Sequence, residues 1–302
     1  MNKQELIKEI GRLRKEKEAI ILAHNYQRPE VQDVADFAGD SLDLAKKGVS
    51  SKAKVIVFCG VSFMAESANI LSPEKTVLLP MIEAGCPLAD MVTVEALRAK
   101  RKEHPKAAVV CYVNSPAEVK AESDVCCTSS NAIKVVNSLK EEEVIFIPDR
   151  QLGRYVAEHT KKKIHLWPGF CATHYSVTPE EIIEAKEKYP GAEVLVHPEC
   201  RLEVIALADA ALSTNGMIEY AKKSKSREFI IGTEMGLLHR LKKEMPDKEF
   251  HLASKKFICP NMKLTTLKRV AESLREMKHI IKIPEDIREK AKRSLERMVE
   301  IS

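Results

Sequence analysis

The chain has 302 residues, of which 44% are hydrophobic and 31% charged, and 49 basic against 44 acidic side chains give a formal net charge of +5. This is a globular rather than a disordered composition, with length enough for one large core or two to three smaller ones. No dense Lys/Arg block interleaved with aromatics speaks for nucleic acid, and no apolar run approaches the roughly 20 residues that cross a bilayer.

Residues 2–17 are charged and helical in period, without the apolar stretch of a secretory signal, so a cytoplasmic location is expected. In a reducing compartment, eight cysteines point to metal, catalysis or burial rather than to disulfides. Three stretches then repeat one pattern, starting at Ala19, Val109 and Val194. Each opens on an apolar, β-branched run, the mark of a buried strand, and breaks at a polar cluster: His24-Asn25-Tyr26, Tyr112-Val113-Asn114 or His197-Pro198-Glu199. A short helical stretch follows, with an aspartate (Asp36, Asp124, Asp209), and then a Ser/Thr turn at Ser41, Ser129 or Ser213-Thr214. The step from Asn25 to Ser41 is 16 residues, and from Asn114 to Ser129 and Pro198 to Ser213 it is 15.

The second halves match too: VIVFCGVSFMAES, VIFIPDRQLGRYVAE and FIIGTEMGLLHRLKKE each read as strand, turn and amphipathic helix. Another apolar stretch leads each to a loop with one cysteine, Cys86, Cys171 or Cys259, spaced by 85 and 88 residues. Helices preface the later copies, with Thr93 and Thr178 as N-caps and Pro179 at the first helical position.

Strands alternating with helices imply parallel sheets covered on both faces. The expected fold is α/β: three pseudo-threefold-related αβα sandwich units, each with a parallel sheet of about four strands, around a central site. The expected units are residues 1–90, 91–175 and 176–262, with 263–302 a helix-strand-helix that closes on the first.

Ligands of such sheets bind beyond the carboxyl ends of the strands, where all the polar clusters, Ser/Thr turns and cysteine loops fall. The three turns open helices and so offer backbone N–H groups to phosphate or carboxylate, although each taken singly reads as an ordinary N-cap. Three thiolates without a fourth suit a 4Fe–4S cluster with one open iron, a Lewis acid for substrate oxygens. A tetrahedral site completed by His174 is the competing metal reading. His24, Tyr26, Tyr112, Asn114, His197 and Glu199 would ring the metal as donors and acid–base groups. Cys59, Cys111, Cys126 and Cys127 lie in strand-like runs and read as core. Cys200 follows the third polar cluster, and His104, His159, His165 and His251 read as surface or structural residues.

The strings ILAHNYQRPEVQDVADFAGDSL, CYVNSPAEVK, CTSSNA, PDRQLG, VHPEC, STNGM and CPNMK, with the three spaced cysteines, closely resemble the quinolinate synthases of de novo NAD biosynthesis. The resemblance implies a transferase that condenses iminoaspartate with dihydroxyacetone phosphate, releasing phosphate and water, at a 4Fe–4S cluster held by Cys86, Cys171 and Cys259. It implies substrate binding by His24, Ser41, Tyr112, Asn114, Ser129, His174, His197, Glu199, Ser213 and Thr214. Tyr26, Glu199 and His197 are then the catalytic groups. The implied partners are these small molecules and, transiently, the enzyme that supplies iminoaspartate. A hydro-lyase of the aconitase kind and a non-catalytic iron–sulfur sensor are the alternatives.

Overall fold

The computed structural model describes residues 1–301, and the apolar runs form strands in three four-stranded sheets. The first sheet holds β1 (Ala19–His24), β2 (Phe37–Gly39), β3 (Val55–Cys59) and β4 (Thr76–Leu78). The second holds β5 (Ala108–Tyr112), β6 (Val125–Cys127), β7 (Glu143–Ile147) and β8 (Lys163–Leu166). The third holds β9 (Glu193–Val196), β10 (Ala210–Ala211), β11 (Glu228–Gly232) and β12 (Glu249–Leu252). Each sheet is wholly parallel, and the order β2-β1-β3-β4 recurs as β6-β5-β7-β8 and β10-β9-β11-β12.

Both faces of each sheet are covered, which is why its strands are apolar throughout rather than alternating. In the first unit, Ile21, Ala23, Val55 and Val57 pack on helices Lys3–Glu16 and Leu267–Glu276. Ile20, Leu22, Ile56 and Phe58 face the opposite side, towards helices Ser41–Ser50 and Ser62–Leu71. Helix ends follow the caps read from sequence: Thr93 accepts from Ala96 N–H at 3.2 Å, and Thr178 forms a capping box with Glu181 ahead of Pro179.

The repeated aspartates have a structural task. Asp36, Asp124 and Asp209 accept the N–H of Ile21, Val109 and Val194 at 2.9, 2.7 and 2.7 Å, tying each second strand's approach to the start of the first. A repeated lysine acts at the other end of the unit. Lys75 donates to Gly48 and Ser51 carbonyls, Lys162 to Leu139 and Glu141, and Lys248 to Ala221 and Ser224, all at 2.6–2.9 Å. Each ammonium meets orphan carbonyls at a helix C-terminus, where the dipole favours a cation.

Within the C-terminal segment, helix Leu267–Glu276 packs on the first sheet, but the expected strand does not form. Residues 279–284 make no strand; Ile280 forms a single antiparallel bridge to Leu78, with Met277 and His279 in left-handed backbone before it. The chain turns there, and helix Glu285–Ile301 lies across the first two units, against helix Ala117–Ala121 and β6 of the second and helix Ser62–Leu71 of the first. Ser294 donates to Lys120 O at 2.9 Å, and Cys126 Sγ lies 3.4 Å from Ser294 Oγ. Leu295 is fully buried in the core shared by the first two units. Leu295→Ala should therefore cost about 2–5 kcal/mol in urea unfolding, while Glu289→Ala on the exposed face of the same helix should cost less than about 0.5 kcal/mol.

Candidate active site at the junction of the three units

The carboxyl ends of the strands in all three sheets face one cavity of about 170 Å³. His24 ends β1, Tyr112 ends β5 and His197 follows β9, so the same strand position supplies a side chain from each unit. Strand register makes the next equivalences firm: His24 pairs with Gly39, Tyr112 with Cys127, and Val196 with Ala211. Tyr26, Asn114 and Glu199 are thus one position, and Ser41, Ser129 and Thr214 another, with the same 15-residue step in each copy.

That register corrects the alignment read from sequence by one residue. Ser213 corresponds to Asp40 and Thr128, not to Ser41 and Ser129. Its hydroxyl accepts Gly216 N–H at 3.1 Å as the N-cap of helix Thr214–Lys223, and Ser213 does not line the cavity. All the other expected residues, His24, Tyr26, Ser41, Tyr112, Asn114, Ser129, His174, His197, Glu199 and Thr214, line it together with Cys86, Cys171 and Cys259.

One run of hydrogen bonds crosses the junction. Tyr26 OH is 2.6 Å from Thr233 Oγ1, and Thr233 Oγ1 is 2.8 Å from His174 Nε2. His174 Nδ1 is 2.7 Å from Glu199 Oε2, and Tyr112 OH donates to Glu199 Oε1 at 2.7 Å. His197 Nε2 lies 3.1 Å from Ser129 Oγ, and Asn25 donates to Thr214 Oγ1 at 2.9 Å, so the third unit is stitched to both the first and the second.

Burial decides the charge states. His24 is pushed down to about 3 by burial, with His197 and Lys263 adding to the shift; His197 is pushed down to about 3 by burial, with His174 adding. Both imidazoles are neutral at physiological pH. Tyr26 and Tyr112 are held well above the usual phenol range, by burial first and by the charge of Glu199 second. Burial alone would raise Glu199, but His197, His174 and the hydrogen bonds from His174 and Tyr112 prevail and hold it below the usual carboxylate range. Asp40, at the edge of the cavity, is raised to about 6 by burial.

The three cysteine loops are built alike. Each thiol precedes one helical turn (Ala89–Met91, Ala172–Tyr175, Met262–Leu264) and accepts backbone N–H groups from it: Ala89, His174 and Met262. Burial pushes Cys86 up to about 12 and raises Cys171 and Cys259 as well. A buried carboxylate orients two of the loops. Asp149 accepts Cys171 N–H at 3.1 Å, and Glu234 accepts Cys259 N–H at 3.2 Å. Among the described residues, ligand atoms within 4.8 Å of one another include Cys171, His174 and Glu199 but not the three cysteines as a set. With metal–thiolate bonds of about 2.3 Å, one ion would not reach all three sulfurs.

The remaining cysteines and histidines stand outside this set. Cys59, Cys111, Cys126, Cys127 and Cys200 are fully buried. His104 stacks on His165 with centroids 3.6 Å apart, and Tyr189 stacks on His251 at the same distance, both on outer faces. His159 bonds its own helix at Tyr155 O. Thr233, Glu234, Asp149 and Lys263 belong to the junction and were not singled out from sequence. The signal that could have found Asp149 and Glu234 is the matched turn after the third strand of the unit, Pro148-Asp149 against Thr233-Glu234.

Three parallel sheets of one order, meeting at three thiols and a buried acid–base chain, define an α/β protein of threefold-repeated architecture with a metal-competent active site. Residues 8–300 match the family model described as Quinolinate synthetase A protein. The chain is 57% identical over 297 residues to quinolinate synthase 2 of Methanosarcina acetivorans, covering 98% of this chain and 96% of that one. It is 56% identical over 301 residues to the quinolinate synthase of Geotalea uraniireducens, covering 100% and 99%. Against that of Dehalococcoides mccartyi it is 56% identical over 292 residues, 97% of each. The chain belongs to the quinolinate synthetase A family.

The depressed imidazoles make stability depend on pH. Between pH 3 and 6.5 the unfolded chain binds more protons at His24 and His197 than the folded one, so the stability present above pH 6.5 is lost as pH falls. Urea unfolding should show a loss of roughly 2 kcal/mol per imidazole between pH 7 and pH 5, and His197→Gln should remove its share of that slope.

Proposed function

We propose that the chain condenses iminoaspartate with dihydroxyacetone phosphate to quinolinate, releasing phosphate and water, as a transferase of NAD biosynthesis. The observation that carries this reading is the convergence of three equivalent thiol loops on the cavity that also holds the chain Tyr26–Thr233–His174–Glu199–Tyr112. Among the described residues, no helix is long and apolar enough to cross a membrane. Small metabolites are the partners proposed, together with transient contact with an enzyme that supplies the unstable imine, and the site of action proposed is the cytoplasm.

Cys86, Cys171 and Cys259 would hold a 4Fe–4S cluster, for which the number and equivalence of the thiols at one cavity are suited. When bound, it would supply a Lewis acid for carboxylate and hydroxyl oxygens of the substrate.

The protein's own groups divide the remaining work. Ser41, Ser129 and Thr214 stand at the openings of helices Ser41–Ser50, Ala132–Ser138 and Thr214–Lys223, where N–H groups and hydroxyls receive the triose phosphate and stabilise phosphate as it leaves. Neutral His24 and His197, with Asn114 and Tyr112, offer hydrogen bonds to carboxylates without setting a competing charge in the cavity. Glu199, kept ionised and joined to His174 and Tyr112, is placed to take a proton from the enamine side. Tyr26, kept protonated, is placed to give one to a departing oxygen. Holding both substrates in one small cavity converts their meeting into an intramolecular event.

The group Cys171, His174 and Glu199 also favours a second reading, a single tetrahedral ion. Anaerobic purification separates the two. Cys86→Ser and Cys259→Ser should each abolish stoichiometric iron and sulfide and reduce quinolinate formation by at least about a hundredfold, while Cys111→Ser keeps both. Retention of one zinc in Cys86→Ser and Cys259→Ser would establish the single-ion site instead.

A further inference from the structure

We propose that Thr233 is a positioning residue of the active site. Its hydroxyl orients the hydrogen of Tyr26 and completes the hydrogen bond at His174 Nε2, and so couples the two ends of the acid–base chain. This rests on the reading of Tyr26 and Glu199 as the proton-transfer groups.

Thr233 is fully buried at the first position after β11, and its Oγ1 lies 2.6 Å from Tyr26 OH and 2.8 Å from His174 Nε2. An ionised carboxylate only accepts, so His174 Nδ1, 2.7 Å from Glu199 Oε2, carries the hydrogen on that side. Nε2, 2.8 Å from a hydroxyl that can donate, is left as the acceptor of the ring. A hydroxyl has a single hydrogen, and Thr233 commits it to Nε2, leaving its lone pairs for the phenol hydrogen of Tyr26. One side chain thus orders the sequence from Tyr26 through His174 to Glu199. Without it the phenol and the imidazole share no other hydrogen-bond partner in the structure.

The segment that carries Thr233 is locked to the loop that carries Tyr26. Glu234 accepts Gly236 N–H at 2.7 Å and pairs with Lys263 at 2.8 Å, and the same ammonium donates to Tyr26 O. Gly236 packs so closely that a Cβ there would stand 2.6 Å from the Tyr26 carbonyl carbon. Only glycine permits that approach, and Gln32 fixes it further by donating to Gly236 O at 2.9 Å. The hydroxyl therefore arrives pre-set rather than by chance rotation.

The repeat shows that the fold does not demand a threonine here. The registers Ala23 with Cys59, Cys111 with Ile147 and Val196 with Gly232 make Gly60, Pro148 and Thr233 equivalent. Two of the three units turn at this point without any hydroxyl. The third has one, and it is aimed at the two groups that a proton must pass between.

The test compares Thr233→Val, which keeps the shape and removes the hydroxyl, with Thr233→Ser, which restores the hydroxyl, in the metal-loaded enzyme. Valine should lower kcat by about 10- to 100-fold with KM within about threefold, and serine should recover kcat to within about threefold of wild type. In a Tyr26→Phe background, adding Thr233→Val should change kcat by less than about twofold, because the hydroxyl acts through the phenol. Iron content and melting temperature report folding, and Thr233→Ala against Thr233→Ser carries the same comparison should the valine variant not fold. Equal kcat in valine and wild type, equal losses in valine and serine, or full additivity with Tyr26→Phe each overturn the proposal. Wild-type protein that forms no quinolinate overturns the proposed function instead.

Discussion

A single buried carboxylate holds the junction together. Glu199 is 3% exposed, and its two oxygens are shared between His174 at 2.7 Å and Tyr112 at 2.7 Å. Burial alone would drive a proton onto it; His197 of its own unit and these two donors keep it charged, and the donors come from another unit. An unpartnered carboxylate in that place would cost several kcal/mol, so the second and third units are pinned in one relative position by the requirement that this charge be satisfied. The same requirement builds the site, since every group that satisfies it also lines the cavity.

The apolar cores show why so much rests on polar contacts. The first two units share one continuous hydrophobic cluster with the C-terminal helix. The third keeps two clusters of its own, one on each face of its sheet. It meets the others through Tyr26–Thr233, Asn25–Thr214, Ser129–His197, Tyr112–Glu199 and Gln32–Gly236. Repetition of one unit supplies three equivalent edges, but divergence at equivalent positions supplies the chemistry. Position 26, 114 or 199 is a phenol, an amide or a carboxylate. At the turn after the third strand, Val61 stands where Asp149 and Glu234 orient the second and third cysteine loops; the backbone bond from Ser62 N–H to Ala84 O, by contrast, recurs as Arg150 to Gly169 and Met235 to Phe257.

What could be read from sequence follows from what the sheets require. Strands buried on both faces appear as unbroken apolar runs, so β1, β5 and β9 and the polar residues that end them were legible, as were the three cysteine loops. The third Ser/Thr turn was misplaced by one residue because Asn25, Asn114 and Pro198 were aligned, whereas strand pairing aligns Tyr26, Asn114 and Glu199. The expected strand after residue 278 failed because β4 is only three residues long and the chain turns at Met277 and His279, leaving room for one bridge. Thr233 was invisible for a different reason. A lone hydroxyl whose equivalents are Gly60 and Pro148 carries no repeat signal, and its partners are brought close only by tertiary packing.

Because interface and active site are the same set of atoms, the two kinds of substitution effect cannot be separated by residue choice alone. Removing Glu199 or Tyr112 takes away a group that lines the cavity and also leaves its buried partner unsatisfied, which destabilises the junction by about 1–3 kcal/mol for a neutral group. Loss of turnover in such a variant therefore has two physical causes of comparable size. Replacements that keep every buried partner satisfied, or that remove a hydroxyl at constant shape, isolate the chemical one. The arrangement also constrains divergence within the fold: the acid–base groups of the third unit can change only together with the donors that the first and second units present to them.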